Sequence, residues 1–149
     1  MIRKLDHKNQ EIAIQIRGVF QASYAIEAKL LDAEDNFPPL KRPLSAFIHA
    51  DTEFFGHFED ERIAGVIEVK SDRDCTHIQS LVVHPDFFRK GIASQLIYYL
   101  FTHFDSDVYT VETGAKNEPA IALYERFGFT LVKKWMTEFG IEKVAFEKN

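Results

Sequence analysis

The segment SLVVHPDFFRKGIASQLI, residues 80–97, carries most of the information about the fold. It begins as an apolar strand, turns at Pro85, and continues through a basic loop into the first turn of a helix. Backbone N–H groups and the dipole at a helix N-terminus form an anion site. Gly91 lets an anion approach the backbone closely, and Arg89 and Lys90 add positive charge. The segment therefore predicts a pyrophosphate-binding loop.

This loop differs from two common phosphate-binding motifs. It lacks the Gly-Lys-Ser/Thr of a P-loop and the three spaced glycines of a dinucleotide-binding fingerprint. A basic loop before a helix is also common as an ordinary strand–helix connection, and the segment alone does not exclude that interpretation. The choice between the two depends on the rest of the chain.

Strand and helix patterns continue on both sides of this segment, with no linker and no repeat. Strands are predicted over residues 2–5, 54–58, 62–70, 76–83 and 108–113, and in a closing hairpin around Gly140. Helices are predicted from Asn9 to Leu30 (capped by Asp6 and bent or divided at Gly18), from Pro43 to about Ala50, from about Arg89 onward, and over 118–128. The segment 32–43 is predicted to be a loop because it contains three prolines.

The order of these elements predicts the fold class. A strand, a helix and a strand follow one another between residues 76 and 113, which predicts a parallel strand pair with a right-handed crossover. The hairpins predict antiparallel neighbours elsewhere. We therefore expect one α/β domain over residues 1–149, of the mixed α+β kind. Its central mixed, mostly antiparallel sheet should carry helices on both faces.

Composition disfavours several classes of protein. The formal net charge is −5, whereas nucleic-acid binding requires a clustered basic face. Cys75 is the only cysteine, so we expect no intramolecular disulfide and a reducing compartment. The first ten residues lack the apolar core of a secretory signal, and no apolar run reaches bilayer-spanning length. The histidines form no helical pair of metal ligands. We expect a cytoplasmic protein without a metal site that binds neither nucleic acid nor membrane.

Two motifs make the interpretation specific. The stretch LVVHPDFFRKGIASQLI, residues 81–97, resembles the acetyl-CoA-binding motif of the GNAT superfamily of N-acetyltransferases, with Gly91 and Ala93 at its two small positions. Phe88 stands where that family usually has glutamine or arginine. The stretch AKNEPAIALYERFGF, residues 115–129, resembles the family's Asn-x-x-Ala-x-x-Leu-Tyr-x-x-x-Gly-Phe helix. The two motifs occur in the family's order, with a strand between them.

The resemblance, which covers about residues 53–147, implies a GNAT-type acyl-CoA N-acyltransferase fold whose sheet is splayed at one parallel strand pair. The pantetheine arm of acetyl-CoA would lie in that gap and bond to the backbone of Leu81, Val82 and Val83. An N–H group near Val82 would polarise the thioester carbonyl. Backbone N–H groups would hold the pyrophosphate. The cofactor-binding residues implied for this loop are Phe88, Arg89, Lys90, Gly91, Ile92, Ala93 and Ser94.

The second motif implies roles for two further residues. Asn117 matches the family's cofactor-contacting asparagine, and it also fits the cap of the following helix. Tyr124 matches the family's proton donor to the departing coenzyme A thiolate, and it also fits the core of an amphipathic helix. A free tyrosine has a pKa of about 10 and a thiol about 8.5, so a hydrogen bond to the thiolate is easier to support than complete proton transfer.

The general base is the group that must remove a proton from the substrate ammonium. The family often places a glutamate on the strand before the loop, and His77 lies near that position. Glu68, on the adjacent strand, is the other candidate, and we favour Glu68 over His77. Each also fits a surface position on its strand, in which case a water chain would carry the proton.

The resemblance thus implies an acetyl-CoA-dependent N-acetyltransferase. Its acceptor would be a primary amine, on a small molecule or a peptide, that attacks directly in a ternary complex and enters beside the first helices and the segment 32–43. The alternative is a non-catalytic acyl-CoA-binding or regulatory domain on the same fold. The exposed edge of the closing hairpin is a candidate for pairing in a homodimer.

Overall fold

A computed structural model describes all 149 residues and contains one mixed sheet of seven strands. The strands are β1 (Ile2–Leu5), β2 (Glu53–Glu59), β3 (Arg62–Ser71), β4 (Cys75–Val83), β5 (Val108–Gly114), β6 (Thr130–Met136) and β7 (Glu142–Lys148). The helices are α1 (Gln10–Leu30), α2 (Leu44–Ile48), α3 (Ile92–His103) and α4 (Glu118–Arg126), with two short 3-10 helices at Pro38–Lys41 and Pro85–Phe87. The strand order is β1-β2-β3-β4-β5-β7-β6, and β4 and β5 form the only parallel pair, which confirms the predicted fold class.

Helices cover both faces of the sheet. On one face, α1 and α2 pack against β2 and β3 through a core that includes Ile16, Phe20 and Phe54. On the other face, α3 buries Leu96 and Leu100 against the same strands. The apolar stripes predicted from the helical spacing therefore meet the two faces of one sheet.

Helix α1 differs in two details from the helix that the sequence predicted. Its cap is Asn9 and not Asp6, because the Asn9 side chain accepts hydrogen bonds from the backbone N–H groups of Glu11 at 2.9 Å and Ile12 at 3.3 Å. Gly18 neither bends nor divides the helix, since it lies on the exposed side within a continuous run of 21 residues. None of the helices, α1 included, combines the length and the apolarity needed to cross a membrane.

A β-bulge in β4 changes which side chains face each layer. Glu68 of β3 lies opposite Ser80, and the next residue, Val69, lies opposite Ile78, so Gln79 has no partner on β3. The extra residue reverses the alternation along β4. Ile78 consequently packs in the core beneath α3, whereas Ser80 faces the α1 side of the sheet.

Strands β4 and β5 separate just beyond this bulge. Their pairing ends at Ile78 opposite Val111, although β4 continues to Val83 and β5 to Gly114. The splayed parallel pair that the resemblance implied is therefore present. The gap between the two strands positions the candidate active site.

Strand β6 forms one edge of the sheet. Most of it is exposed, including Leu131, Val132 and Met136. An uncovered edge strand presents unpaired backbone groups to a partner. Pairing of this edge in a homodimer stays a prediction.

Candidate active site

A cavity of about 690 Å³ opens where β4 and β5 separate. Its floor is formed by residues 78–81 of β4 and 111–114 of β5. One wall comes from α1 and the segment 37–42, and the other from the turn of the β6–β7 hairpin. The start of α4 closes one end, where Asn117, Ala120 and Tyr124 line the space.

The backbone of β4 presents alternate N–H groups to the gap. The N–H of His84 donates to the carbonyl of Ala64 on β3 at 2.8 Å, and the register continues with Val82 opposite Val66. In an antiparallel pair, hydrogen-bonded positions alternate, so the N–H of Val82 also points towards β3. The N–H groups of Leu81 and Val83 point the other way, into the gap. The resemblance implied cofactor bonds to the backbone of Leu81, Val82 and Val83. For Val82 this is wrong, because its N–H group points towards β3 and not into the gap.

The loop before α3 holds a run of free backbone N–H groups. The six residues Arg89–Ser94 donate to no acceptor within the protein, because the first helical bond runs from the N–H of Gln95 to the carbonyl of Gly91 at 3.0 Å. Arg89 and Gly91 both adopt positive φ, 67° and 72°, which directs the successive groups into a concave nest. The arrangement fits an anion.

Phe88 departs from this pattern. Its N–H donates to the carbonyl of Pro85 at 3.2 Å, and its side chain is exposed. Neither the backbone nor the apolar ring of Phe88 is therefore positioned to bind a phosphate, although the resemblance placed it among the cofactor-binding residues.

Asn117 joins the start of α4 to α1. Its Oδ1 accepts a hydrogen bond from the N–H of Ala120 at 3.3 Å and so caps the helix. Its Nδ2 donates to Oε1 of Glu27 at 2.5 Å. The cap that the sequence predicted is present, and the same side chain also fixes a carboxylate in the cavity wall.

Tyr124 presents its hydroxyl to the cavity. The side chain is 5% exposed, and the hydroxyl makes no hydrogen bond with another protein atom. Burial raises the pKa of Tyr124 above its ordinary value of 10, and the nearby Glu27 charge raises it further. The hydroxyl therefore stays protonated and keeps a hydrogen bond to donate.

Glu68 is neither a surface residue nor a cavity residue. It is 1% exposed, and its carboxylate accepts two hydrogen bonds from Arg42, at 2.8 and 3.0 Å. The hydroxyls of Thr52, at 2.7 Å, and Ser80, at 3.0 Å, donate to the same group. These four donors, two of them from the Arg42 guanidinium, occupy both carboxylate oxygens and hold the group away from the cavity. We interpret Glu68 as a structural anion that anchors the segment around Arg42 to the sheet.

His77 also lies outside the cavity lining. Its Nδ1 lies 2.7 Å from Oγ1 of Thr110 on β5, and the side chain is half-buried. Burial lowers the pKa of His77 below its ordinary value of 6.5, while Glu112 raises it. The imidazole is near the gap but is not directed into it.

A family model for the acetyltransferase (GNAT) family matches residues 20–129. The chain belongs to the GNAT acetyltransferase family. UPF0157 protein YqkA of Bacillus subtilis (strain 168) is 33% identical to this chain over 130 residues, which cover 87% of the chain. The chain spans only 38% of that relative's length.

Solved structures of other acetyltransferases share the fold. The ribosomal-protein-S18-alanine N-acetyltransferase of Escherichia coli superimposes with a TM-score of 0.77 at 19% identity, over 99% of this chain and 91% of that one. The PaiA N-acetyltransferase of Thermoplasma acidophilum, solved in complex with coenzyme A, superimposes with a TM-score of 0.65 at 19% identity, over 100% and 98%. At these identities the likeness shows a common fold.

Two cavity residues of this GNAT protein escaped the sequence analysis. Glu27 and Tyr24 line the cavity from α1 together with Phe20 and Leu31. Burial raises the pKa of Glu27 above its ordinary value of 4.5, and the bond from Asn117 only partly offsets that rise. The sequence does contain a sign of this site: Phe20, Tyr24, Glu27 and Leu31 are spaced three or four residues apart and so fall on one helical face. A single carboxylate on an otherwise apolar and aromatic face is unusual.

Proposed function

We propose that this protein is an N-acetyltransferase that moves an acetyl group from acetyl-CoA to a primary amine. When bound, acetyl-CoA supplies the acetyl group as a thioester. The observation that carries the proposal is the run of free N–H groups from Arg89 to Ser94, followed along β4 by the gap-facing N–H groups of Leu81 and Val83. Of these residues, Leu81 lines the same cavity as Tyr124.

The nest fits the diphosphate of a coenzyme A group. Six consecutive N–H donors at the start of α3 combine with the dipole of that helix to favour negative charge. The exposed side chains of Arg89 and Lys90 add two positive charges to the rim. Arg126 reaches the same rim, since its guanidinium lies 3.4 Å from Oγ of Ser94. These residues would hold the diphosphate without a contribution from the side chain of Phe88.

The N–H of Leu81 is placed to polarise the acetyl carbonyl. It faces the gap on the floor of the cavity, two residues from the gap-facing N–H of Val83. A backbone donor aimed at developing negative charge on oxygen contributes about 3 kcal/mol to a barrier. We assign this role to Leu81 in place of Val82, whose N–H points into the sheet.

Tyr124 would donate a hydrogen bond to the departing thiolate. Burial raises the pKa of Tyr124, so complete proton transfer to sulfur would cost even more than the roughly 2 kcal/mol expected from the ordinary pKa values. A hydrogen bond needs no such transfer. It stabilises the charge on sulfur while the hydroxyl remains protonated.

The cavity favours direct attack by the amine while both substrates are bound. Cys75 does not line it, and the only serine that does, Ser80, donates its hydroxyl to Glu68 at 3.0 Å. No cysteine, and no serine with an unpaired hydroxyl, therefore lines the cavity to form an acyl-enzyme. Since Leu81 and the α1 wall line one cavity, the amine can reach the acetyl group without an intermediate carrier.

The test combines calorimetry and turnover. We expect coenzyme A to bind at near-physiological salt, and acetyl-CoA to release thiol in the presence of primary amines. Absence of binding would remove the donor and the proposal with it. Binding without turnover on any small amine or peptide would instead establish a non-catalytic acyl-CoA-binding domain. Cytoplasmic location and dimer formation stay predictions.

A further inference from the structure

The half of the cavity that remains for the acceptor is apolar and aromatic. Phe20 and Tyr24 of α1 lie with ring centres 5.8 Å apart, and Tyr24 lies 5.7 Å from Phe37 in the next segment. Trp135 and Phe139 of the β6–β7 hairpin line the opposite wall. An acceptor that enters here passes between two aromatic walls.

The charges in these walls are unequal. Both cations that line the cavity are already paired: Arg42 with the buried Glu68 at 2.8 Å, and Lys143 with Glu112 at 3.2 Å. Glu27 has only the neutral amide of Asn117 as its hydrogen-bond partner. The acceptor half of the cavity therefore holds a carboxylate that no cation hydrogen-bonds, and the Lys143 charge acts on it only from a distance.

We propose that Glu27 binds the ammonium group of the acceptor and accepts its proton, and that the acceptor is a primary amine carrying a single positive charge on an aromatic or branched aliphatic body. The inference rests on the proposed function, because it names the acceptor class of that same site. The Glu27 carboxylate would pair with the ammonium group of the acceptor. The aromatic side chains around it would contact the apolar part of the same molecule. Nothing in the sequence motifs indicated this class.

The proton and electron balance is straightforward. One N–H bond of the ammonium breaks and an O–H bond forms on Glu27, which frees the nitrogen lone pair to attack the acetyl carbonyl. The new C–N bond replaces the C–S bond, whose electrons leave with sulfur. The nitrogen then loses its second proton to that sulfur, and Glu27 returns its own proton to solvent.

The surroundings of Glu27 suit a base. Burial raises the pKa of Glu27, which makes it a stronger proton acceptor than an exposed carboxylate. The titratable groups that face it are Tyr24 on its own helix, Tyr124 on α4 and Lys143 on β7. Lys143 is the only cation among these groups, and its charge opposes the rise in the pKa of Glu27.

Two other amine classes fit less well. A free amino acid would place its own carboxylate beside Glu27, where no unpaired cation lines the wall. A polyamine would bring a second ammonium, and the remaining unpaired carboxylate, Glu138, is exposed at the hairpin. An exposed ion pair contributes less than about 1 kcal/mol, so Glu138 adds little to the binding of a second ammonium.

The test compares 2-phenylethylamine and isoamylamine with spermidine and phenylalanine as acceptors of acetyl-CoA. We expect kcat/KM to be at least about tenfold higher for the two apolar monoamines. Glu27→Gln should lower kcat/KM by about 100-fold. Calorimetry with 2-phenylethylamine on the coenzyme A-saturated protein should show weaker binding to this variant, with coenzyme A affinity unchanged. Glu11→Gln, an exposed change on the same helix, should leave both measurements as in the wild type.

The outcomes separate this inference from the proposed function. Turnover that is equal for spermidine and the apolar amines would overturn the acceptor class while leaving an acetyltransferase. Full activity of Glu27→Gln, or loss of activity in Glu112→Gln alone, would transfer the base role away from Glu27. Coenzyme A binding with no turnover on any amine would overturn both.

Discussion

Nδ2 of Asn117 lies 2.5 Å from Oε1 of Glu27, although 90 positions separate the two residues in the chain. The bond links the end of α1, which forms one wall of the cavity, to the start of α4, which carries Tyr124. Because Oδ1 of Asn117 also caps α4, one amide fixes the orientation of a helix and of a carboxylate. The Asn117 side chain thus links α1 and α4, which line two sides of the cavity.

Glu27→Gln should stabilise the protein at neutral pH although it lowers activity. The folded-state pKa of Glu27 is raised above 4.5, so the folded protein binds this proton more tightly than the unfolded chain. The free energy of unfolding therefore falls as pH rises through this pKa, and the variant escapes that loss. Denaturant midpoints should be higher than wild type at about pH 8 and equal at about pH 4. A midpoint that is lower at both pH values would contradict the assigned direction, and Glu11→Gln controls for loss of an exposed carboxylate.

Tyr124→Phe should lower kcat by about tenfold while changing coenzyme A affinity less than twofold. In the proposed function the hydroxyl donates to the departing thiolate, and the phenylalanine ring would still fill the same site. The change should alter the free energy of unfolding by less than about 0.5 kcal/mol, since the hydroxyl makes no hydrogen bond within the protein. Thiol release, calorimetry and chemical denaturation give the three values. Unchanged kcat would exclude Tyr124 from the chemistry.

Gly91→Ala and Gly140→Ala form a matched pair. Both glycines have positive φ, 72° and 77°, and an added Cβ meets no atom within 4 Å at either site. Each substitution should therefore destabilise the protein by about 1 kcal/mol through backbone strain alone. Only the change at Gly91 lies in the anion nest, and we expect it alone to weaken coenzyme A binding, by about tenfold. Equal affinities in the two variants would place the diphosphate elsewhere.

Arg42→Met should destabilise the protein by about 3–5 kcal/mol, because it leaves the buried Glu68 carboxylate without its cation. The double variant Arg42→Met with Glu68→Met should recover part of that loss, since no charge then remains uncompensated. Denaturant midpoints of the single and double variants measure the difference. If Glu68→Gln abolished turnover while leaving stability unchanged, Glu68 would be a base after all and not an anchor.

Local sequence pattern was sufficient to predict the elements that form the proposed donor site. The apolar run before Pro85, the left-handed Gly91 and the stripe of α3 lie within 18 residues, so their geometry follows from neighbours along the chain. The same holds for α4, whose Asn117 cap and terminal Gly128, with φ of 89°, were both predictable. The single parallel pair, β4 with β5, followed from the strand–helix–strand order between residues 76 and 113.

Long-range packing decided the rest. The direction of each N–H on β4 depends on register with β3 and on a bulge at Gln79, which no local propensity marks. The environments of Glu27 and Glu68 depend on Asn117 and Arg42, 90 and 26 positions away. A carboxylate's role follows from its burial and its partners, and both exist only after distant segments meet. For that reason the sequence identified the side proposed to bind the donor, and the tertiary structure identified the side proposed to select the amine.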